Sequence, residues 1–178
     1  YGLPGTIGGD VWGNAGVPKV ETRDFVKSLT LFNISDGIRE VPKKDIEFRY
    51  RATSLQKTDD LILRVTLELK KGDAKKSKED IKKIDEIRRG KQPTGYTAGS
   101  FFKNPSLEKS AGYLIEQCGL KGHTVGDAEI SQKHANFFMN RGHAKATEIL
   151  ELAKLAQKKV KEKFGIELEM EVKIIGRS

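Results

Sequence analysis

A single cysteine, Cys118, leaves the chain no partner for an internal disulfide, which fits a reducing compartment. No apolar run approaches the roughly 18 residues that suggest a membrane-spanning helix. The first residues also lack the basic-then-apolar layout of a signal peptide. A cytoplasmic protein with no membrane partner is therefore expected. Aromatics are only 7% of the residues and few interleave with lysines, so no base-stacking platform for nucleic acid is evident. The three histidines, His123, His134 and His143, lack HExxH spacing, and one cysteine cannot build a thiolate zinc cluster. No metal is expected. The serine at position 100 is not in a G-x-S-x-G elbow, because position 102 is Phe, which argues against a Ser/His/Asp hydrolase. Neither GxGxxG nor GxxxxGK[ST] occurs in the glycine-rich opening, where no Lys follows Gly9.

What is present describes a soluble globular protein. Hydrophobic residues are 37% and charged residues 33% of 178, enough for one good-sized core or two small ones sharing an interface. The net charge of +8 raises the question of an anionic partner. Much of the excess lies in Lys70 to Lys91, where ten Lys or Arg face five Asp or Glu. That stretch reads as a helix with a narrow apolar stripe of Ile81, Ile84 and Ile87. A solvated helix face is the first reading of such a run, attraction of a phosphate-bearing small ligand the second, and nucleic acid the last.

The first sixteen residues hold six of the 18 glycines and read as a loop whose conformations need flanking structure, so a preceding segment is expected. Phe25 to Ile34 and Leu61 to Leu69 alternate apolar and polar residues as half-buried strands do. Asp45 to Ser54 supplies a third strand. Ser77 can cap a helix running to about Arg89, with Gly90 ending it. A long loop from Gln92 to Pro105 follows, then a short helix near Ser110 to Gln117. Brief strands come next, near Ala128–Ile130 and Phe137–Asn140. The longest amphipathic helix is Ala144 to Phe164, closed by Gly165. Ile166 to Ile175 alternates as a final strand. Its acidic face, Glu167, Glu169 and Glu171, is either a solvated edge or a cleft-facing acid–base group at Glu171.

Three further segments suit chemistry. Successive glycine amides in Pro4-Gly5-Thr6-Ile7-Gly8-Gly9 could cradle a phosphate or merely turn a tight corner. Arg51, after Tyr50, could grip a carboxylate through parallel hydrogen bonds or stand idle on the surface. Ser100, behind Ala98 and Gly99, is sterically open in its loop.

The order of these segments is distinctive. Pro4 to Gly9, Asn14-Ala15-Gly16, Tyr50-Arg51, Gln92-Pro93 and Ala98-Gly-Ser-Phe-Phe-Lys-Asn-Pro105 resemble the UDP-N-acetylenolpyruvoylglucosamine reductases block for block. So do Ala111-Gly112, Gly119 to Gly122, Ser131 to Asn140, and Phe164 to Val172 with Ile175-Gly176. The short interval between Arg51 and Ser100 resembles the family's type without the tyrosine-bearing loop. The resemblance implies an α+β fold: residues 1–89 as the second half of a vanillyl-alcohol-oxidase-type FAD-binding domain, and 90–178 as the substrate-binding domain. The last strand, 166–176, would carry Glu171 back to the active site. It implies FAD and NADPH as cofactors and UDP-N-acetylglucosamine enolpyruvate as substrate, reduced to UDP-N-acetylmuramate. By the same resemblance Ser100 is the proton donor, and Arg51 and Glu171 flank the enolpyruvyl group in one shared pocket. Pro4, Gly5, Thr6, Ile7, Gly8, Gly9, Asn14, Ala15 and Gly16 hold the flavin. Tyr50, Arg88, Arg89, Lys103, Asn104 and His134 serve the substrate.

Two departures stand out. Asp10 replaces a usual small residue, where a carboxylate beside a pyrophosphate is unfavourable, and Val17-Pro-Lys follows Asn-Ala-Gly in place of Ala-Tyr-Gly. With the family's N-terminal flavin subdomain missing, this chain is expected to hold FAD poorly unless another segment supplies that part, and to be a monomer. Alternatives are a non-catalytic UDP-sugar-binding fragment, another FAD-linked oxidoreductase of the same flavin fold, and a basic nucleic-acid module.

Overall fold

A computed structural model describes residues 5–17 and 20–176; Pro4 of the expected flavin segment lies outside the described residues. The chain divides into two compact units, Tyr1–Glu79 and Asp80–Ser178. The division falls inside a helix, ahead of the expected boundary at 89/90.

In the first unit the glycine-rich opening folds into a helix, α1 (Ile7–Trp12), where a loop is expected. Thr6 explains it: its Oγ1 accepts the Gly9 amide at 3.1 Å, capping the first turn and offsetting the low helix propensity of Gly8 and Gly9. A short antiparallel pair follows, β1 (Gly16–Val17) with β2 (Val20–Glu21). The main sheet is three antiparallel strands in the order β4-β3-β7: β3 (Val26–Asn33), β4 (Gly37–Pro42) and β7 (Leu61–Leu67). Strands β3 and β7 lie where alternation puts them. Strand β4 is new. Its inward positions include Arg39, whose guanidinium holds Asp60 at 2.7 and 2.8 Å, so the apolar alternation that marks a strand is broken by a charge. The expected third strand is a tight hairpin, β5 (Phe48–Arg49) and β6 (Ala52–Thr53). Val11, Leu29, Leu31, Ile46 and Leu55 form the small core beneath α1 and the sheet.

Helix α2 (Ala74–Lys91) buries no residue. Its cap is Asp73, whose Oδ1 accepts from the Lys75 and Lys76 amides at 2.8 and 3.2 Å; Ser77 sits inside the first turn and bonds back to the Asp73 carbonyl. Gly90, expected to end the helix, lies within it.

The second unit has a four-stranded antiparallel sheet in the order β8-β11-β10-β9, from β8 (Tyr96–Ser100), β9 (Thr124–Val125), β10 (Ala128–Ile130) and β11 (Phe137–Asn140). Two helices, α3 (Ala111–Gln117) and α4 (Ala146–Phe164), close one side with Leu114, Ile115, Leu152, Ala156 and Val160 against Phe102, Ile130 and Phe138. Ser110 caps α3 by accepting the Tyr113 amide at 3.2 Å, and Gly165 ends α4 in the left-handed region at φ 68°.

Two expectations are corrected here. The segment Tyr96–Ser100 is a strand, not loop. Conversely, the expected strand over 166–176 forms one bridge, Phe102 with Met170, and no ladder. Its alternation survives because Leu168 is buried in the core while Glu167 and Glu169 are exposed. On the other edge of this segment Gln157 Nε2 donates to the Leu168 carbonyl at 2.8 Å.

Candidate active site

In the first unit, the segment after α1 is held by a buried asparagine. Asn14 is fully buried, in the left-handed region at φ 43°. Its carboxamide donates to Glu21 Oε2 at 3.0 Å and to the Arg49 carbonyl at 2.9 Å, and accepts the Arg23 amide at 3.1 Å. The side chain expected to touch a flavin is spent within the protein. Gly16 must be glycine for a close approach, since a Cβ there would lie 2.5 Å from the Val20 carbonyl. Gly5 and Gly9 are exposed and Gly8 half-buried, so Gly5, Gly8 and Gly9 leave a surface free of side chains.

Arg51 is the second residue of the two-residue turn joining β5 to β6, with φ 53°. A non-glycine residue there costs about 1–2 kcal/mol and persists only where the surroundings fix it. The fixing groups are visible. Arg51 Nη2 donates to the Gly16 carbonyl at 2.6 Å, and its guanidinium lies 5.0 Å from the ring centre of half-exposed Tyr50. Thr53 Oγ1 and Gln56 Nε2 both donate to the Trp12 carbonyl, at 2.9 and 3.0 Å, which ties the hairpin to α1.

In the second unit, Ser100 ends β8, exposed, opposite Phe137 and behind Gly99 at φ 82°. The next residues form the middle of a three-strand arrangement. On one edge Phe101 N donates to the Asn136 carbonyl at 2.8 Å. On the other, Glu171 N donates to the Phe101 carbonyl at 2.9 Å, and Lys103 N to the Glu169 carbonyl at 2.8 Å. Glu171 is therefore one register position from Ser100 although 71 residues separate them in sequence, by the bridge of Phe102 with Met170. Lys103 Nζ is paired with Glu169 at 2.5 Å, and its side chain is 15% exposed. Asn104 Oδ1 accepts the first amide of α3, from Ala111, at 3.0 Å.

His134 is half-buried against Phe137, ring centres 4.8 Å apart, and its Nδ1 accepts the Asn136 amide at 3.2 Å. Burial holds its imidazole below the ordinary value of 6.5. With Nδ1 an acceptor, the neutral ring carries its proton on Nε2. Gly112 makes this possible: a Cβ there would lie 2.9 Å from His134 Cε1. Arg89 is exposed and paired with Asp85 at 2.8 Å, while Arg88, one position earlier, is half-buried. Sequence reasoning missed Asn136, which is 2% exposed. Its only signal was a polar residue inside the apolar run Ala135 to Met139. Among the described residues, no group of three or more His, Cys, Asp or Glu could hold a metal, and no helix is long and apolar enough to cross a membrane.

Residues 92–175 match the family model of the UDP-N-acetylenolpyruvoylglucosamine reductase C-terminal domain. Over 98% of its length the chain is 39% identical to the UDP-N-acetylenolpyruvoylglucosamine reductase of Caldanaerobacter subterraneus subsp. tengcongensis and 43% identical to that of Clostridium tetani. The chain is similar to the UDP-N-acetylenolpyruvoylglucosamine reductases. The crystal structure of the family's member from Thermus caldophilus superposes with a TM-score of 0.83 at 35% identity, covering 97% of this chain and 61% of that one. The chain spans 58% and 57% of the length of the two reductases. The mixed α/β architecture is thus similar to that of the solved reductase.

Proposed function

We propose that this chain carries the substrate-reducing part of a UDP-N-acetylenolpyruvoylglucosamine reductase, which converts UDP-N-acetylglucosamine enolpyruvate to UDP-N-acetylmuramate in peptidoglycan precursor synthesis in the cytoplasm. The observation that supports the reading is the pairing of the 169–171 segment with Phe101–Lys103, which brings the backbone of Glu171 next to the strand end that carries Ser100. Residues 1–89 would be the second half of a vanillyl-alcohol-oxidase-type FAD domain and 90–178 the substrate domain. The side-chain-free surface of Gly5, Gly8 and Gly9, with the backbone of Asn14, Ala15 and Gly16, suits a flat or phosphate-bearing cofactor. Asn14 would act by holding that backbone, not by touching the ligand. FAD, when bound and reduced by NADPH, supplies a hydride for the β-carbon of the enol ether.

The chain's residues would supply the rest. Arg51 offers fixed positive charge where negative charge accumulates on the substrate carboxylate. Ser100 Oγ gives its proton to the α-carbon, which completes a two-electron reduction of the double bond. Glu171 steadies the intermediate beside it. Lys103, Asn104, Tyr50, Arg88 and Arg89 would meet the diphosphate and sugar, and neutral His134 offers an Nε2–H donor. Attracting a nucleotide diphosphate also gives the net charge of +8 a use.

The test is NADPH oxidation that depends on FAD and on the enolpyruvyl substrate, with UDP-N-acetylmuramate as product. Ser100→Ala should lower that rate by roughly 10²-fold or more while leaving substrate binding within a few-fold. Equal turnover by the variant would remove Ser100 from the chemistry. The second reading is a UDP-sugar-binding fragment without turnover. Saturable binding of UDP-N-acetylglucosamine derivatives without flavin, and no NADPH oxidation with it, would establish that instead.

A further inference from the structure

The regular pairing of β8 with β11 slips between Phe137 and Met139, and its last backbone partner to Ser100 is Phe137. Beyond that point a side chain continues the ladder. Asn136 accepts the Phe102 amide on Oδ1 at 2.9 Å and donates from Nδ2 to the Phe102 carbonyl at 2.8 Å, while its own carbonyl takes the Phe101 amide. A carboxamide is the side chain that offers both an acceptor and a donor to a peptide unit in this way. Asn136 is 2% exposed, so water cannot replace either bond. The opposite edge of the same two residues is held by the segment carrying Glu171. The two residues that follow Ser100 are thus held by one buried asparagine.

We infer that Asn136 is a positioning residue that sets the direction of the Ser100 hydroxyl by locking the Phe101–Phe102 backbone; this rests on the proton-donor role proposed for Ser100. A displacement of about 1 Å at a proton donor costs up to roughly 10²-fold in rate. The effect falls on proton delivery and not on reduction of the flavin by NADPH, in which Ser100 has no part.

The experiment uses Asn136→Leu and Asn136→Asp in the FAD-loaded protein, with the two half-reactions followed separately by flavin absorbance. In Asn136→Leu, reduction by NADPH stays within about twofold and reoxidation by the enolpyruvyl substrate slows about tenfold or more. Asn136→Asp keeps both bonds while its buried carboxyl is protonated and loses the donor when it ionises. Its reoxidation rate is therefore near wild type at low pH and falls as pH rises. The ionisable neighbours His134, Lys103, Glu169 and Glu171 are common to wild type, so a limb found only in the variant belongs to position 136. Amide exchange at Phe102, measured on the chain without flavin, follows the same pH limb in Asn136→Asp. Equal slowing of both half-reactions, or an Asn136→Asp profile parallel to wild type, overturns the inference. If Asn136→Leu does not fold, the pH profile and the exchange decide. Wild-type protein that is reduced but never reoxidised by the substrate removes the proposed reaction itself, and this role with it.

Discussion

Asn14 and His134 are polar groups whose surroundings decide their use. Asn14 has both donors and its acceptor committed to Glu21, Arg49 and Arg23. Asn14→Ala takes their partner from the part-buried Arg49 carbonyl and Arg23 amide and empties a buried site, so a loss of about 2–3 kcal/mol in chemical denaturation is expected. A loss below about 1 kcal/mol would mean that the loop relaxes to satisfy itself. His134 is held neutral by burial, so the unfolded chain binds a proton more readily than the folded one. Stability contributed by its neutral form is full above the ordinary value of 6.5 and is lost as pH falls below it. His134→Gln should flatten that acid limb of a midpoint-versus-pH series; an unchanged limb would assign it elsewhere. Neither commitment could be read from sequence, because a letter does not say which partners its atoms meet.

Elements were legible where one physical signal dominated. Strands β3 and β7 follow from alternation, and α4 from helical spacing with a glycine stop. Gly165→Ala should cost about 1 kcal/mol, read as a lower melting temperature, because φ 68° penalises a Cβ. No change would mean that the helix end rewinds. Signals that conflicted misled. In α1 a single threonine cap outweighs glycine propensity. In β4 an inward Arg39 bonds Asp60 through Nη2; burial pushes the Asp60 carboxyl up, but hydrogen bonds from Arg39, Thr58 and Asn33 and the Arg39 charge outweigh this and hold it below its ordinary value. The final segment alternates as a strand while its carbonyl at Leu168 is taken by a helix side chain. The contact of the 169–171 segment with Phe101–Lys103 has no local trace in the sequence, since some seventy positions separate the two.

At the scale of the whole molecule, two cores and one exposed helix set the order of vulnerability. Helix α2 buries no residue and carries most of the ten Lys and Arg between positions 70 and 91. Limited trypsin digestion should therefore cut there first, leaving two resistant fragments. First cuts inside β3 or α4 would contradict this.

The space above Gly112 is already occupied. With an imidazole carbon 2.9 Å from where a methyl would stand, positions 112 and 134 cannot vary independently: a larger residue at one demands a smaller or redirected one at the other. Alanine at 112 would thus act as a lever, swinging the ring off its Nδ1 contact with Asn136 and re-aiming its free N–H, with the histidine itself unchanged.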